Sequence, residues 1–307
     1  MSRLKVFTPA GLSSFFEACI FDERGNLIEN PEIKGARGGG FALEEGSLTE
    51  VKVSDESKEI KVYINGKRED AKTSKKAVEL FLEKFGLKEI GVTVNHRIKL
   101  PVGAGFGTSA SGALGAILAL SFEIGKPISL IEALKLTHVA EVLSYTGLGT
   151  SEGFATGGVV LITKPGALWE GKVEKILYDK DIRIVAGFFE PISKENVLKS
   201  VDFLMEVNRV ARLTMDKILK NPTVETLLKA SREFAEKSGI GSNEILKIAD
   251  ELTKCGAIGA TQNMIGKAVH CAVFKKKVDQ IIKIIRQYTE KVYVSKIHEG
   301  GPLIYSN

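Results

Sequence analysis

Cysteine is scarce and scattered: Cys19, Cys255 and Cys271 are the only three in 307 residues. Their odd number and wide spacing exclude a dense disulfide framework, and no pair has zinc-ligand spacing. All three read as small, reduced interior residues. Long apolar runs are also missing. No stretch is long enough to span a bilayer, and the N-terminus lacks the charged-then-apolar pattern of a signal peptide. The expectation is a cytoplasmic protein with no membrane partner. A concentrated basic face is absent too: the net charge is +5, with 43 Lys and Arg interspersed among 38 Asp and Glu. That balance disfavours nucleic acid and mildly favours small anionic substrates. The one tight basic run, Lys275–Lys277, falls between a strand pattern and a helix pattern and reads as a solvated turn.

What is present is ordinary globular material, 44% hydrophobic and 26% charged, enough for one large or two medium domains. Early segments alternate with period two, as in "LTEVKVS", "EIKVYING" and "GVTVNHRIKL", and predict strands. A helix is predicted over residues 74–85, closed by Gly86. Further helices are predicted over about 109–124 and from Ser129 to about Tyr145, the second opened by a Ser129–Glu132 capping box. "VVLITKPG" and "IRIVAGFF" read as strands, 195–253 as helices broken near Pro222 and Gly239, and the tail as β-α-β. The architecture expected is α+β in two lobes, residues 1–165 and 166–307. An apolar strand edge in either lobe would serve a homodimer.

The densest punctuation lies in "KLPVGAGFGTSASGALGAILAL". Four glycines (Gly103, Gly105, Gly107 and Gly112) and three hydroxyls (Thr108, Ser109 and Ser111) meet at the start of a helix. Glycine lets main-chain N–H groups converge on one point, and a helix N-terminus adds free N–H groups and a positive dipole end. Together they predict a phosphate site. A P-loop is excluded because no Lys follows Gly105 or Gly107, and the glycine spacing differs from the dinucleotide fingerprint. The first-turn hydroxyls can cap the helix, bind phosphate oxygen or ligate Mg²⁺.

"PVGAGFGTSASGA" resembles the second signature of the GHMP kinases, through Pro101, Gly105, Phe106, Gly107, Thr108, Ser109 and Ala110. The resemblance implies a two-lobed fold, with a first lobe of ribosomal-protein-domain type and a ferredoxin-like α+β second lobe. It also implies ATP as phosphoryl donor, held by Pro101, Gly103, Ala104, Gly105, Phe106, Gly107, Thr108, Ser109, Ala110 and Ser111. Within the family, "FTPAGLSSFFEAC", "GARGGGFALEEG" and "GATQNMIGKAVHCAV" look most like archaeal pantoate kinases. The implied reaction is phosphorylation of a small hydroxy acid, pantoate to 4-phosphopantoate for coenzyme A synthesis. Homoserine, shikimate or mevalonate are alternative acceptors, and a non-catalytic nucleotide sensor is a third reading.

The family pattern pairs a Ser with a Glu for Mg²⁺, which implies Ser109 or Ser111 together with Glu141. His138 shares the helix face of Glu141, one turn earlier, and is either an acceptor-substrate contact or a hydrogen-bonded core His. Many relatives carry an Asp base where Thr150 stands; Glu152 is the nearest carboxylate. Such transfer needs little early proton removal, so a strong base is dispensable. Pantoate carries a carboxylate, and Arg37 is the expected cation for it, with Arg97 and Lys164 as alternatives. Ser13 completes the expected acceptor contacts.

Overall fold

A computed structural model of the chain describes residues 4–55, 57–87, 89–149, 151–167, 170–191, 198 and 200–306, with the side chains of Glu152 and Phe154 excepted. Two sheets organise it. The larger is built on two long antiparallel strands, β1 (Leu4–Cys19) and β2 (Gly35–Ser54). β2 also pairs with β5 (Gly91–Ile98). β5 in turn carries β3 (Ile60–Ile64) in parallel, with β4 (Lys67–Arg68) at the edge. β6 (Val159–Lys164) lies along the first half of β2 and carries β7 (Lys172–Ile176).

The glycine-rich start of β2 is strand because its neighbours leave no space for side chains. A Cβ on Gly40 would stand 1.7 Å from the Leu12 carbonyl oxygen, and one on Gly38 2.5 Å from that of Phe15. The last strand, β12 (Leu303–Ser306), returns to pair with β1 as an edge on which Leu303, Ile304 and Tyr305 are exposed.

Helices α1 (Lys72–Lys84), α2 (Thr108–Glu123) and α3 (Leu130–Leu143) cover the sheet over a core of Val62, Phe81, Val94, Ile117 and Leu134. α2 is buried almost all round, which suits a central helix rather than an amphipathic one. Its Phe122 is exposed near the C-terminal end. Ser129 accepts a hydrogen bond from the Glu132 N–H at 3.2 Å, as the capping box requires. α4 (Ser151–Thr156) was not expected from the sequence.

The smaller sheet is antiparallel, in the order β11 (Val292–Ser295), β8 (Ile182–Glu190), β10 (Lys267–Phe274), β9 (Gly259–Gln262). Helices α5 (Val201–Lys220), α6 (Val224–Lys237) and α7 (Asn243–Lys254) join β8 to β9, and α8 (Val278–Ile285) joins β10 to β11. This β-α-β-β-α-β connectivity is ferredoxin-like, as expected. The predicted breaks near Pro222 and Gly239 fall between these helices, while the predicted start at residue 195 lies outside the described residues.

Phe15 and Phe16 of β1 meet Phe234 of α6 edge-on at 6.1 and 6.2 Å, in the core behind the glycine loop. Lys275 and Lys276 are exposed in a 3-10 turn. Cys271 is buried, and burial pushes its thiol up to about 12. Cys19 and Cys255 are only half-buried, so the interior reading holds fully for Cys271 alone. No helix among the described residues is long and apolar enough to cross a membrane.

Candidate active site

The glycine loop runs from the end of β5 to the head of α2, and its carbonyls are turned into the protein. The Ala104 oxygen accepts from Asn263 Nδ2 at 3.1 Å, and the Phe106 oxygen from the Gly11 N–H at 3.2 Å. In a trans peptide the N–H lies opposite the C=O. The Gly105 and Gly107 amides therefore point away from β1 and the β9–β10 turn. The amides of residues 105–110 donate to no acceptor among the described residues. Gly105 and Gly107 hold this path at φ +76° and +62°, in the left-handed region open to glycine. Phe106 is buried edge-on to Tyr293, centroids 5.7 Å apart, and anchors the loop. The first turn of α2 closes with Ser111 N–H onto Gly107 O at 3.0 Å. A row of free amides at the positive end of a buried helix is an anion site.

Cavities open on both sides of this row. One is lined by Ser13, Phe16, Ala36, Gly105, Gly107, Ser109 and Glu141. Through Gly147, Leu148 and Leu198 it borders a pocket of about 270 Å³ that holds Lys34, Glu29 and Tyr145 between apolar walls. The other, about 210 Å³, lies between the head of α2 and α1, with Glu69, Asp70, Thr73, Ser74, His96 and Thr108 around it. Ser109 borders both. The arrangement sets a polyanion grip between two compartments, with one hydroxyl at the junction and one nearly buried carboxylate on a wall.

Comparison with known proteins agrees with this geometry. Residues 72–158, which span α1 to the end of α4, match the family described as "GHMP kinases N terminal domain". The chain is 28% identical to a pantoate kinase of Thermococcus kodakarensis, with 98% of each chain covered. It is 26% identical to a pantoate kinase of Methanocaldococcus jannaschii, covering 92% of this chain and 97% of that one. A solved structure described as "Phosphotransferase related to CoA biosynthesis pathway" superposes with a TM-score of 0.86 at 26% identity, covering 99% of both.

Residues 72–158 carry the GHMP kinase N-terminal domain, and the chain as a whole has the fold of that phosphotransferase.

The expected site residues fall into three groups. Gly105, Gly107, Ser109, Ala110, Glu141 and Ser13 come together around one cavity, while Thr108 faces the other. Pro101, Gly103, Ala104 and Phe106 shape the loop, Phe106 and Ala104 through the inward carbonyls. Ser111, Arg37 and His138 are engaged elsewhere. Ser111 Oγ donates to Thr8 O at 2.8 Å and accepts from Ser47 N–H at 3.1 Å, so it faces the sheet. Ala36 lines the cavity, and the next residue of a strand projects from the opposite face. Arg37 accordingly pairs with Glu17 at 3.1 Å, a buried carboxylate also held by Arg212 at 2.7 Å.

His138 is fully buried, and its Nε2–H is directed at the carbonyl oxygens of Lys34 at 2.7 Å and Pro31 at 3.1 Å. Burial holds its pKa below the usual imidazole value. Its visible task is to fasten the Pro31–Lys34 segment to α3, which brings Lys34 to the pocket. Arg97 is exposed near the end of β5, and Lys164 pairs with Glu170 at 3.6 Å. Thr150 and the Glu152 side chain lie outside the described residues.

Sequence reasoning missed Lys34, Asn263 and His270. Lys34 stands three residues before the expected Arg37 and lines the pocket beside the cavity, whereas Arg37 pairs with Glu17.

Glu141 and Ser109 together present hard oxygen donors beside the amide row, the donor type that Mg²⁺ takes along with phosphate oxygens. The residues present fit that ion.

Proposed function

We propose that this protein transfers the γ-phosphoryl group of ATP to the 4-hydroxyl of pantoate, yielding 4-phosphopantoate and ADP. The observation that carries this is the outward-facing amide row at the head of α2, set between two cavities with Glu141 and Ser109 beside it. The nucleoside occupies the cavity against α1, and its polyphosphate lies along the amides of residues 105–110. The acceptor enters from the side of Ser13 and Glu141.

Pantoate has a branched apolar middle and a carboxylate end. The pocket next to that cavity has walls of Ile20, Leu148 and Leu198, with Lys34 among them. Lys34 has no ion-pair partner among the described residues, whereas Arg37 is committed to Glu17. Lys34 therefore takes the carboxylate. Ser109 and Glu141 would hold Mg²⁺, with Ser111 left to its structural bonds. When bound, the ion offsets charge on the phosphate oxygens.

The acceptor oxygen forms the new bond to phosphorus as the bond to the bridging oxygen of ADP breaks. Charge on the transferred group is met by the Gly105 and Gly107 N–H groups. Positioning and charge stabilisation supply most of such catalysis, so the hydroxyl proton can leave late.

The test is ADP formation with pantoate, homoserine, shikimate and mevalonate offered singly, with the product identified by phosphorus NMR. Pantoate should lead by about 100-fold in kcat/KM, since a site built around one set of polar groups rejects acceptors that lack them. Preference for another acceptor would overturn the substrate. Tight ATP binding with no acceptor-dependent turnover would replace the enzyme with a nucleotide sensor.

A further inference from the structure

Behind the glycine loop lies a row of hydrogen-bonded side chains that the transfer itself does not touch. Ser14 Oγ is 2.9 Å from His270 Nε2, and His270 Nδ1 is 2.8 Å from Asn263 Oδ1. Asn263 Nδ2 is 3.1 Å from the Ala104 carbonyl oxygen. All three side chains belong to fully buried residues, and they join β1, β10 and the β9–β10 turn.

The row has one direction, fixed from its far end. A carbonyl oxygen only accepts, so Asn263 must present its N–H₂ to Ala104 and its oxygen to the imidazole. That oxygen also only accepts, so Nδ1 of His270 carries the hydrogen. The neutral ring then has a bare Nε2, which receives the Ser14 hydroxyl hydrogen. Burial pushes the His270 pKa down to about 3, so the neutral ring persists at ordinary pH.

The turn that carries Asn263 also presses on the same peptide. A Cβ on Gly266 would stand 2.4 Å from both the carbonyl carbon and the oxygen of Ala104 and 2.8 Å from Gly105 N. Asn263 itself is fixed by its N–H onto Ala268 O at 2.8 Å, and Met264 by its N–H onto Ser13 O at 2.8 Å.

We propose that Asn263, oriented by His270 and Ser14, is a positioning residue that sets the direction of the Ala104–Gly105 peptide and so aims the Gly105 amide at the nucleotide phosphates. This rests on the kinase reading of the loop. Without the Asn263 donor the Ala104 carbonyl loses its anchor, and the peptide can turn its N–H off the phosphates. Without His270 the Asn263 amide loses what distinguishes its two ends.

The experiment is calorimetric titration of a non-hydrolysable ATP analogue into the full chain, with acceptor KM and unfolding temperature measured beside it. Asn263→Ala and His270→Leu should each weaken the analogue about tenfold, the scale of one hydrogen bond to a charged group. Acceptor KM should move less than about twofold, and His270→Gln, which keeps a donor and an acceptor, should recover most of the affinity. Val269→Ala serves as the packing control: Val269 is buried in the core on the other face of β10. It should lower the unfolding temperature and leave the affinity as in the wild type.

Normal nucleotide affinity in folded Asn263→Ala and His270→Leu would overturn the proposal alone. So would an equal loss in Val269→Ala, which would reduce the row to ordinary packing. If the unaltered chain binds no nucleotide, the kinase reading fails and takes this proposal with it.

Discussion

Replacing Gly105 by alanine perturbs the amide row where the structure permits the least adjustment. At φ +76° an L side chain costs about 1–2 kcal/mol in backbone strain. The added Cβ would also stand 2.8 Å from the Asn263 Cβ, closer than carbon atoms normally approach. Asn263 is bonded through its main-chain N–H, its Oδ1 and its Nδ2, so the loop must move instead. Movement there turns the Gly105 N–H away from the phosphates. A hydrogen bond to a charged group is worth about 1.5–3 kcal/mol. At 1.4 kcal/mol per factor of ten, Gly105→Ala should weaken an ATP analogue by about 10- to 100-fold.

Gly125 provides the comparison. It caps the other end of α2 at φ +64° with nothing within 4 Å of an added Cβ. Gly125→Ala should lose about 1–2 kcal/mol of stability and leave nucleotide affinity alone. Calorimetric titration and thermal unfolding of both variants decide the matter. If Gly105→Ala binds the analogue within about twofold of wild type and only its stability falls, the reasoning is wrong.

Glu141→Gln keeps shape and removes charge, and should lower kcat by about 100-fold or more while raising the Mg²⁺ concentration needed for half-maximal rate. Steady-state assays across a metal titration check this, and an unchanged metal dependence would speak against the ligand role. Lys34→Met should raise the KM for pantoate about tenfold or more and leave the KM for ATP in place. Against a neutral analogue such as the methyl ester of pantoate, the same variant should perform like wild type; an equal loss on both acceptors would remove Lys34 from the carboxylate.

Acid should destabilise the fold in the histidine range. Burial holds His96 at about 4 and His270 at about 3, and His138 is lowered by the same cause. Folded-state values below the unfolded value near 6.5 mean that the unfolded chain binds more protons as pH falls. The stabilisation is therefore complete above about pH 6.5 and is lost progressively below it. His96 and His270 together should cost about 4 kcal/mol between pH 7 and pH 5, read by urea unfolding at each pH. A flat profile over that window would contradict their buried, neutral state.

Local signals in the sequence located the amide row, and long-range pairing decided the rest. The glycines before α2 and the Ser129 cap declare themselves within a few residues, because positive φ and capping are local requirements. Ser109 and Ser111 are equivalent by that standard. They lie about 160° apart around the helix, and only the packing of α2 on β1 and β2 sends Ser111 to Thr8 and leaves Ser109 at the junction. Arg37 follows the same logic on a strand: alternation puts it on the face opposite Ala36, yet alternation cannot say which face meets the cavity. His138 had two readings of equal weight. Its Nε2 contacts to carbonyls more than 100 residues away place it in the core. The Ser14–His270–Asn263 row joins residues up to 256 positions apart in sequence, which no periodicity reveals.

The most direct measurement is a crystal structure of the chain with Mg²⁺ and a non-hydrolysable ATP analogue. Phosphate oxygens should lie about 3 Å from the Gly105 and Gly107 nitrogens, with the nucleoside against α1 and the metal beside Ser109 and Glu141. A nucleotide seated away from the head of α2, or Gly105 and Gly107 amides turned back onto protein carbonyls in its presence, would contradict the account.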